Sequence, residues 1–357
     1  MSRTPGFPES QAAARGCERV LRIGIIGAGR IGTRHGHVLF GAGFAELAAV
    51  CDTERGAAGR LATTLGVKAW GDPLELIRSG AIDAVDICTP PDTHAPLAVA
   101  AAEAGLHVLV QKPLGLSLRQ ARRVIDAARR HGVVLMVAMS HRFCPRHRAV
   151  RAAIRAGHIG RPMRMKLSWR LDVTGAPPGH WIYDRRRSGG GVMMGLMLQQ
   201  IDLVSWLAGA VCHVKSAEAR HTDARFAPRM EDFARAALEL ADGVRADLEA
   251  IYGGGAPPVE QLLEIHGTHG TLRMAQDGPI ELLMADGAAA VLPPDRGVVS
   301  KDRFANELAH FAACCNHAAQ PECSGEDHLQ IMRTLVQLRW VARGGRAAHA
   351  ATNALPP

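Results

Sequence analysis

Residues 20–26 form a largely apolar run rich in β-branched side chains and interrupted only by Arg22 and Gly24. This pattern predicts a strand buried on both faces. A glycine-rich hexapeptide, Gly27 to Gly32, follows and opens a helical stretch to about Gly41. Further strand-like runs at 44–51, 67–70, 84–88, 107–110 and 133–137 alternate with helical stretches at 54–65, 93–104 and 118–130. Strands separated by helices imply right-handed crossovers and a parallel, doubly wound α/β sheet.

After Phe143 the period changes. Met163, Met165, Leu167, Trp169 and Leu171 alternate with Arg164, Lys166, Ser168 and Arg170, and Val244, Ala246, Leu248 and Ala250 alternate with charged neighbours. Alternation at period 2 predicts strands with one wet face, and successive strands of this kind predict an antiparallel sheet. A last helical stretch is expected at about 327–342. The change of period sets the boundary near residues 140–150. The expected organisation is a tail (1–18), a nucleotide-binding domain (19–143), a second domain (144–347) and a short tail (348–357).

Length and composition narrow the classes. A chain of 357 residues exceeds what a single core usually supports. With 47% hydrophobic residues it can bury two, and with only 4% aromatics it offers no base-stacking surface for single-stranded nucleic acid. The net charge of +8 comes from arginines dispersed among apolar positions, as at 119–130, which reads as a solvated helix face and not as a nucleic-acid stripe. No apolar run approaches the roughly 20 residues of a membrane span, and the polar start lacks the apolar segment of a signal peptide. The eight cysteines lack C-x-x-C spacing, so they are expected as free thiols of a reducing cytoplasm. His35 and His37 have no acidic or cysteine partner at ligand spacing, and no metal site is expected.

Chemistry enters at the glycine loop. In the pattern G-x-G-x-x-G, Gly27 allows the tight turn, Gly29 lets backbone approach a pyrophosphate and Gly32 lets helix pack on strand. The N–H groups of Arg30, Ile31 and Gly32 would face the phosphates from the helix N-terminus. Asp52, 20 residues after Gly32, ends the second strand. Its carboxylate would accept from a ribose diol and repel a 2′-phosphate, so NAD is expected over NADP, with Arg55 moderating the preference.

Several motifs follow in order: Cys88-Thr89-Pro90-Pro91-Asp92-Thr93-His94, Gln111-Lys112-Pro113, His141-Arg142-Phe143, Gly189-Gly190-Gly191, Met230-Glu231-Asp232 and Gly267-Thr268-His269-Gly270-Thr271-Leu272. With the glycine loop, they resemble the glucose-fructose oxidoreductase/inositol dehydrogenase (Gfo/Idh/MocA) family from about residue 20 to 347. The resemblance implies a Rossmann domain followed by an α/β domain with a large, mostly antiparallel open sheet. It also implies NAD(P)-dependent redox chemistry on sugars or polyols, and association through the sheet into a homodimer or homotetramer. Thr89, Pro90, His94, Gln111 and Lys112 would border the cofactor.

Three departures bear on the chemistry. Gln111 stands where the family typically has Glu. The family's Asp or Asn and its His, four residues later on one helix, align with Gly195 and Gln199, while its final Asp is retained as Asp202. The spacing places all three on one helix face. An amide does not titrate near neutrality, so Gln199 cannot serve as the imidazole. Lys112 then remains as the candidate acid–base group, because a lysine in a partly dry cleft beside a cationic nicotinamide has a depressed pKa. Candidate substrate contacts are Gln199, Asp202, Arg142 (alternatively a domain-junction residue), His180 and Tyr183. Arg185-Arg186-Arg187 is read as a solvated loop or an anion clamp.

The expected function is a cytoplasmic NAD(P)-dependent sugar or polyol oxidoreductase with a non-standard active site. Two rivals use the same scaffold: a catalytically silent NAD or sugar binder, and an NAD-assisted glycosidase or lyase.

Overall fold

The computed structural model describes residues 20–228, 230–253 and 259–345, so the two terminal tails fall outside the described residues. Six strands, β1 (Arg22–Ile26), β2 (Glu46–Cys51), β3 (Lys68–Trp70), β4 (Ala84–Ile87), β5 (His107–Gln111) and β6 (Leu135–Ala138), form one parallel sheet in the order β3-β2-β1-β4-β5-β6. Between them run α1 (Arg30–Leu39), α2 (Arg55–Leu65), α3 (Pro73–Arg78), α4 (His94–Glu103) and α5 (Leu118–His131). The order reverses direction between β1 and β4, and the crevice outside the carboxyl ends of those strands is where such sheets bind nucleotides.

Helix α5 shows why the pattern was readable. Ser117 caps its first turn by accepting from Gln120 N–H, and Gly132 ends it in the left-handed region. Ala121, Val124, Ile125, Ala127 and Ala128 are buried while Arg119, Arg122, Arg123, Arg129 and Arg130 face outward. Helix α3, which periodicity did not reveal, is a single short piece started by Asp72, whose carboxylate accepts from Leu74 and Glu75 N–H.

Helix α6 (Pro145–Arg155) leads to a second sheet. Its strands are β7 (Pro162–Leu171), β8 (Val211–Arg220), β9 (Phe233–Leu240), β10 (Arg245–Tyr252), β11 (Val259–Gly267), β12 (Gly270–Ala275), β13 (Ile280–Met284) and β14 (Ala289–Leu292), in the order β14-β13-β12-β11-β7-β10-β9-β8. All neighbours are antiparallel except β7 and β10, which run parallel. The long excursion between those two strands supplies the crossover that a parallel pair requires. Met165, Leu167 and Trp169 of β7, with Ala246, Leu248 and Ala250 of β10, point to the buried face. Met163, expected inward, is exposed at the strand's start. The opposite face carries cross-strand ion pairs, Arg164–Asp247, Arg235–Glu249, Lys215–Glu239 and Arg273–Glu264.

Between β7 and β8 lie α7 (Arg185–Ser188), a π-helical turn at Met193–Met197 and α8 (Leu198–Ala208). The stretch Arg185–Ala208 is the one helical run among the described residues long and apolar enough to cross a membrane. It lies largely inside the fold, with 78% of its most apolar window buried.

The last two helices, α9 (Arg303–His317) and α10 (Gly325–Ala342), return to the first sheet. Helix α9 lies on α1, with Arg34 paired to Asp302 at 2.6 Å and Phe304 against His35. Val137 N–H donates to Cys323 C=O at 2.9 Å, and Met136 bridges Ser324 antiparallel, so residues 323–324 cover the edge strand β6.

Candidate active site

The glycine loop is shaped by close approach on two sides and open space on the third. Gly27 has φ +107°, and a Cβ there would lie 2.7 Å from the Cys88 carbonyl carbon. A Cβ on Gly32 would lie 1.8 Å from Gly27 O. Gly29 has nothing within 4 Å of the position its Cβ would take, and α1 begins without a side-chain cap. The loop therefore presents bare backbone and an uncapped helix start to the crevice, the cradle that a diphosphate requires. Asp52 is fixed at its rim, accepting from Ala28 N–H at 2.7 Å and Glu54 N–H at 2.9 Å.

The next wall is the carboxyl end of β4. Thr93 Oγ1 donates to Thr89 Oγ1 at 2.6 Å, and Thr89 and Pro90 remain partly exposed. His94 differs from its expected place beside the cofactor. It is 1% exposed, with ring nitrogens 2.7 Å from the carbonyl oxygens of Pro113 and Thr89. It ties the loop after β4 to the loop after β5 from behind the cleft.

Gln111 and Lys112 sit at the end of β5. Lys112 Nζ donates to Gly195 C=O at 2.8 Å, and Gln199 Nε2 donates to the same oxygen, also at 2.8 Å. Burial, with Arg30 of the glycine loop adding to it, pulls the Lys112 amine down to about 8. Among the described residues no carboxylate is paired with the amine. His141 lies within electrostatic reach of Lys112 and is held neutral by burial, with Arg303 the next cause. Behind Lys112, His328 of α10 accepts from Leu114 N–H at 3.2 Å, and burial lowers its ring to about 3.

The helix that resembles the family's catalytic helix is altered in geometry as well as in sequence. Gly195 lies in the π-helical turn, so the regular one-face spacing to Gln199 and Asp202 does not hold. Gln199 faces Lys112, but Asp202 is 2% exposed and receives Arg142 Nε at 3.1 and 3.0 Å. Arg142 also donates to Glu322 C=O. The two form a buried ion pair between the first sheet's last loop and α8, the junction alternative for Arg142, and Asp202 is corrected from a substrate contact to a junction residue.

Tyr183 is corrected likewise. Its hydroxyl donates to Val173 C=O at 2.6 Å, and its ring packs edge-on against Phe226 at 5.2 Å. His180 caps a short turn by accepting from Ile182 N–H at 3.3 Å, so its Nδ1 is engaged locally, and its ring lies tilted against Trp181 at 5.3 Å. In the arginine run, Arg187 approaches Asp92 at 3.5 Å. The triple glycine is a packing device: a Cβ on Gly190 would meet Arg339 at 1.9 Å, and one on Gly191 would meet Glu231 O at 1.8 Å.

Remote contacts supply groups that spacing missed. His35 does acquire acidic and thiol neighbours: its Nδ1 lies 2.7 Å from Asp86 Oδ2, and Cys88 Sγ donates to Asp86 Oδ1 at 3.3 Å. The three ligand-type atoms lie within 4.8 Å of one another, brought together by α1 packing on β4. His328, Arg303 and Tyr252 were likewise unmarked, because none sits in a local motif.

Residues 21–139 match the model of the oxidoreductase family with an NAD-binding Rossmann fold, and residues 147–273 match the GFO/IDH/MocA C-terminal domain. The chain is 30% identical over 311 residues to scyllo-inositol 2-dehydrogenase (NAD(+)) of Bacillus subtilis, covering 85% of this chain and 89% of that protein. It is 29% identical over 336 residues to D-apiose dehydrogenase of Paraburkholderia graminis, covering 90% and 88%. The fold also superimposes on levoglucosan dehydrogenase in complex with NADH and levoglucosan, with TM-score 0.84 at 22% identity over 94% of this chain and all of that one. The crevice, the fixed Asp52 and these matches lead to one conclusion: the chain belongs to the Gfo/Idh/MocA family of NAD-binding oxidoreductases.

Proposed function

We propose that the chain exchanges hydride with a carbinol or carbonyl carbon of a sugar or polyol, with Lys112 as its acid–base group. The observation that carries this reading is the half-buried Lys112 amine at the carboxyl edge of the sheet, lowered to about 8 and held by a neutral carbonyl. The glycine loop and Asp52 would hold the dinucleotide, with Thr89, Pro90 and Gln111 along the cleft. Bound NAD supplies the hydride acceptor or, when reduced, the donor. Lys112 Nζ removes the hydroxyl proton during oxidation and returns it to the carbonyl oxygen during reduction. Gln199 fixes the carbonyl on which the amine rests and offers its amide oxygen to a substrate hydroxyl.

The relatives' named substrates, scyllo-inositol and D-apiose, set the first panel. Net NADH formation with one of these or a related polyol is the expected result. Binding without turnover would favour the silent binder, and product release without net NADH would favour the glycosidase or lyase. A cytoplasmic homo-oligomer joined through the second sheet belongs to the same proposal, as does the division of the chain near residues 140–150.

Cofactor choice follows from Asp52. With both carboxylate oxygens held by backbone N–H groups, the charge cannot swing away from a 2′-phosphate. NAD(H) should bind at least ~10-fold more tightly than NADP(H). Fluorescence titration of both reduced forms checks this, and tighter NADPH would identify Arg55 as a phosphate reader.

A further inference from the structure

Gly195 marks where the helix lacks its side chain, and another element fills the space. A Cβ built on Gly195 would lie 1.5 Å from Tyr252 Oη and 2.6 Å from its Cζ. The tip of the phenol thus occupies the volume that any other residue at 195 would claim. Tyr252 ends β10, and its ring stacks on Phe226 at 5.8 Å with only 6° between the planes. The residue is 8% exposed, yet its hydroxyl has no hydrogen-bond partner among the described residues, whereas that of Tyr183 is satisfied by Val173. A buried phenol usually finds a partner.

This unpaired hydroxyl stands beside the residue whose carbonyl receives Lys112 and Gln199. Gly195 thus joins the two side chains, its carbonyl receiving Lys112 and its Cα side packed against the Tyr252 hydroxyl. Burial, then Glu231, raises the phenol above its ordinary value, so it stays protonated. A neutral hydroxyl donates one hydrogen bond and accepts others, the capacity a polyol oxygen requires.

We propose that Tyr252 Oη binds the substrate oxygen whose proton Lys112 exchanges, supplying from β10 the contact that a side chain at position 195 would otherwise make. Tyr252 keeps its own proton throughout. The assignment rests on the polyol reading above.

The chain has only two tyrosines, so protein labelled with ¹³C at tyrosine Cζ gives two signals, assigned with Tyr252→Phe. Saturation with NAD⁺ should move the Tyr252 signal and leave that of Tyr183 in place. A stationary Tyr252 signal overturns the placement, whether or not the protein turns over. With whichever of scyllo-inositol and D-apiose is oxidised, Tyr252→Phe should lower kcat/KM about tenfold or more, with NAD⁺ affinity and thermal midpoint preserved. Gly195→Ala should reproduce the loss, because its Cβ must displace the phenol. Retention of kcat/KM within about threefold in Tyr252→Phe overturns the proposal. If wild type oxidises neither compound, the polyol reading fails for them, and the NAD⁺ titration alone decides where Tyr252 points.

Discussion

Lys112→Met should lower turnover by at least ~100-fold, the usual worth of a positioned acid–base group, while the protein stays folded and binds NAD. The methionine keeps an unbranched apolar stem in the half-buried site and removes only the amine. The same assignment predicts the pH profile. For oxidation the amine must be neutral, so kcat/KM should rise with pH and level off once the Lys112 ionisation, at about 8 in the free protein, is passed. For reduction the ammonium is required, and the profile should fall over the same range. Single-turnover hydride transfer, measured by the appearance or loss of NADH absorbance in wild type and variant, separates chemistry from product release. Near-normal rates in Lys112→Met would transfer the proton step to another group, and a flat profile across that range would exclude the lysine as the titrating base.

The largest stability effect is expected at the Arg142–Asp202 pair. Both residues are nearly inaccessible, and burial opposes the charge on each. The two-pronged contact offsets that cost, and Asp202 keeps the guanidinium protonated. Asp202→Leu strands the arginine and should cost about 3–5 kcal/mol of unfolding free energy. Arg142→Met combined with Asp202→Leu should recover most of that loss, since neither charge is then left alone. Urea unfolding of both variants provides the comparison. A loss below about 1 kcal/mol in Asp202→Leu would place the pair among contacts that water can replace.

What could be read from the chain was local. The glycine loop and Asp52 are separated by one helix of a repeating unit, so spacing alone predicted their shared rim. The buried strands of the first sheet appear as short apolar runs, and β7 and β10 as alternations, because burial imposes its period on neighbouring residues. The rest depends on contacts between remote segments. Gly195 and Tyr252 stand 57 positions apart, and no periodicity links them. Regular helical spacing relates Gln199 to Asp202 within α8, but the partner that takes Asp202 is Arg142, which comes from the loop after β6 and leaves no trace in the helix's own pattern. The packing of helix α9 on α1 is likewise a contact between remote segments that neither pattern announces.

The covering of β6 by Cys323 and Ser324 has a consequence for synthesis. The ribosome delivers all six strands of the nucleotide sheet early, but the backbone that closes its last edge emerges almost 190 residues after β6. Throughout that interval the nascent sheet presents an open row of amides and carbonyls, the surface on which chains pair wrongly. The domain translated first is thus completed last, and a fragment ending near residue 143 would leave that edge unprotected.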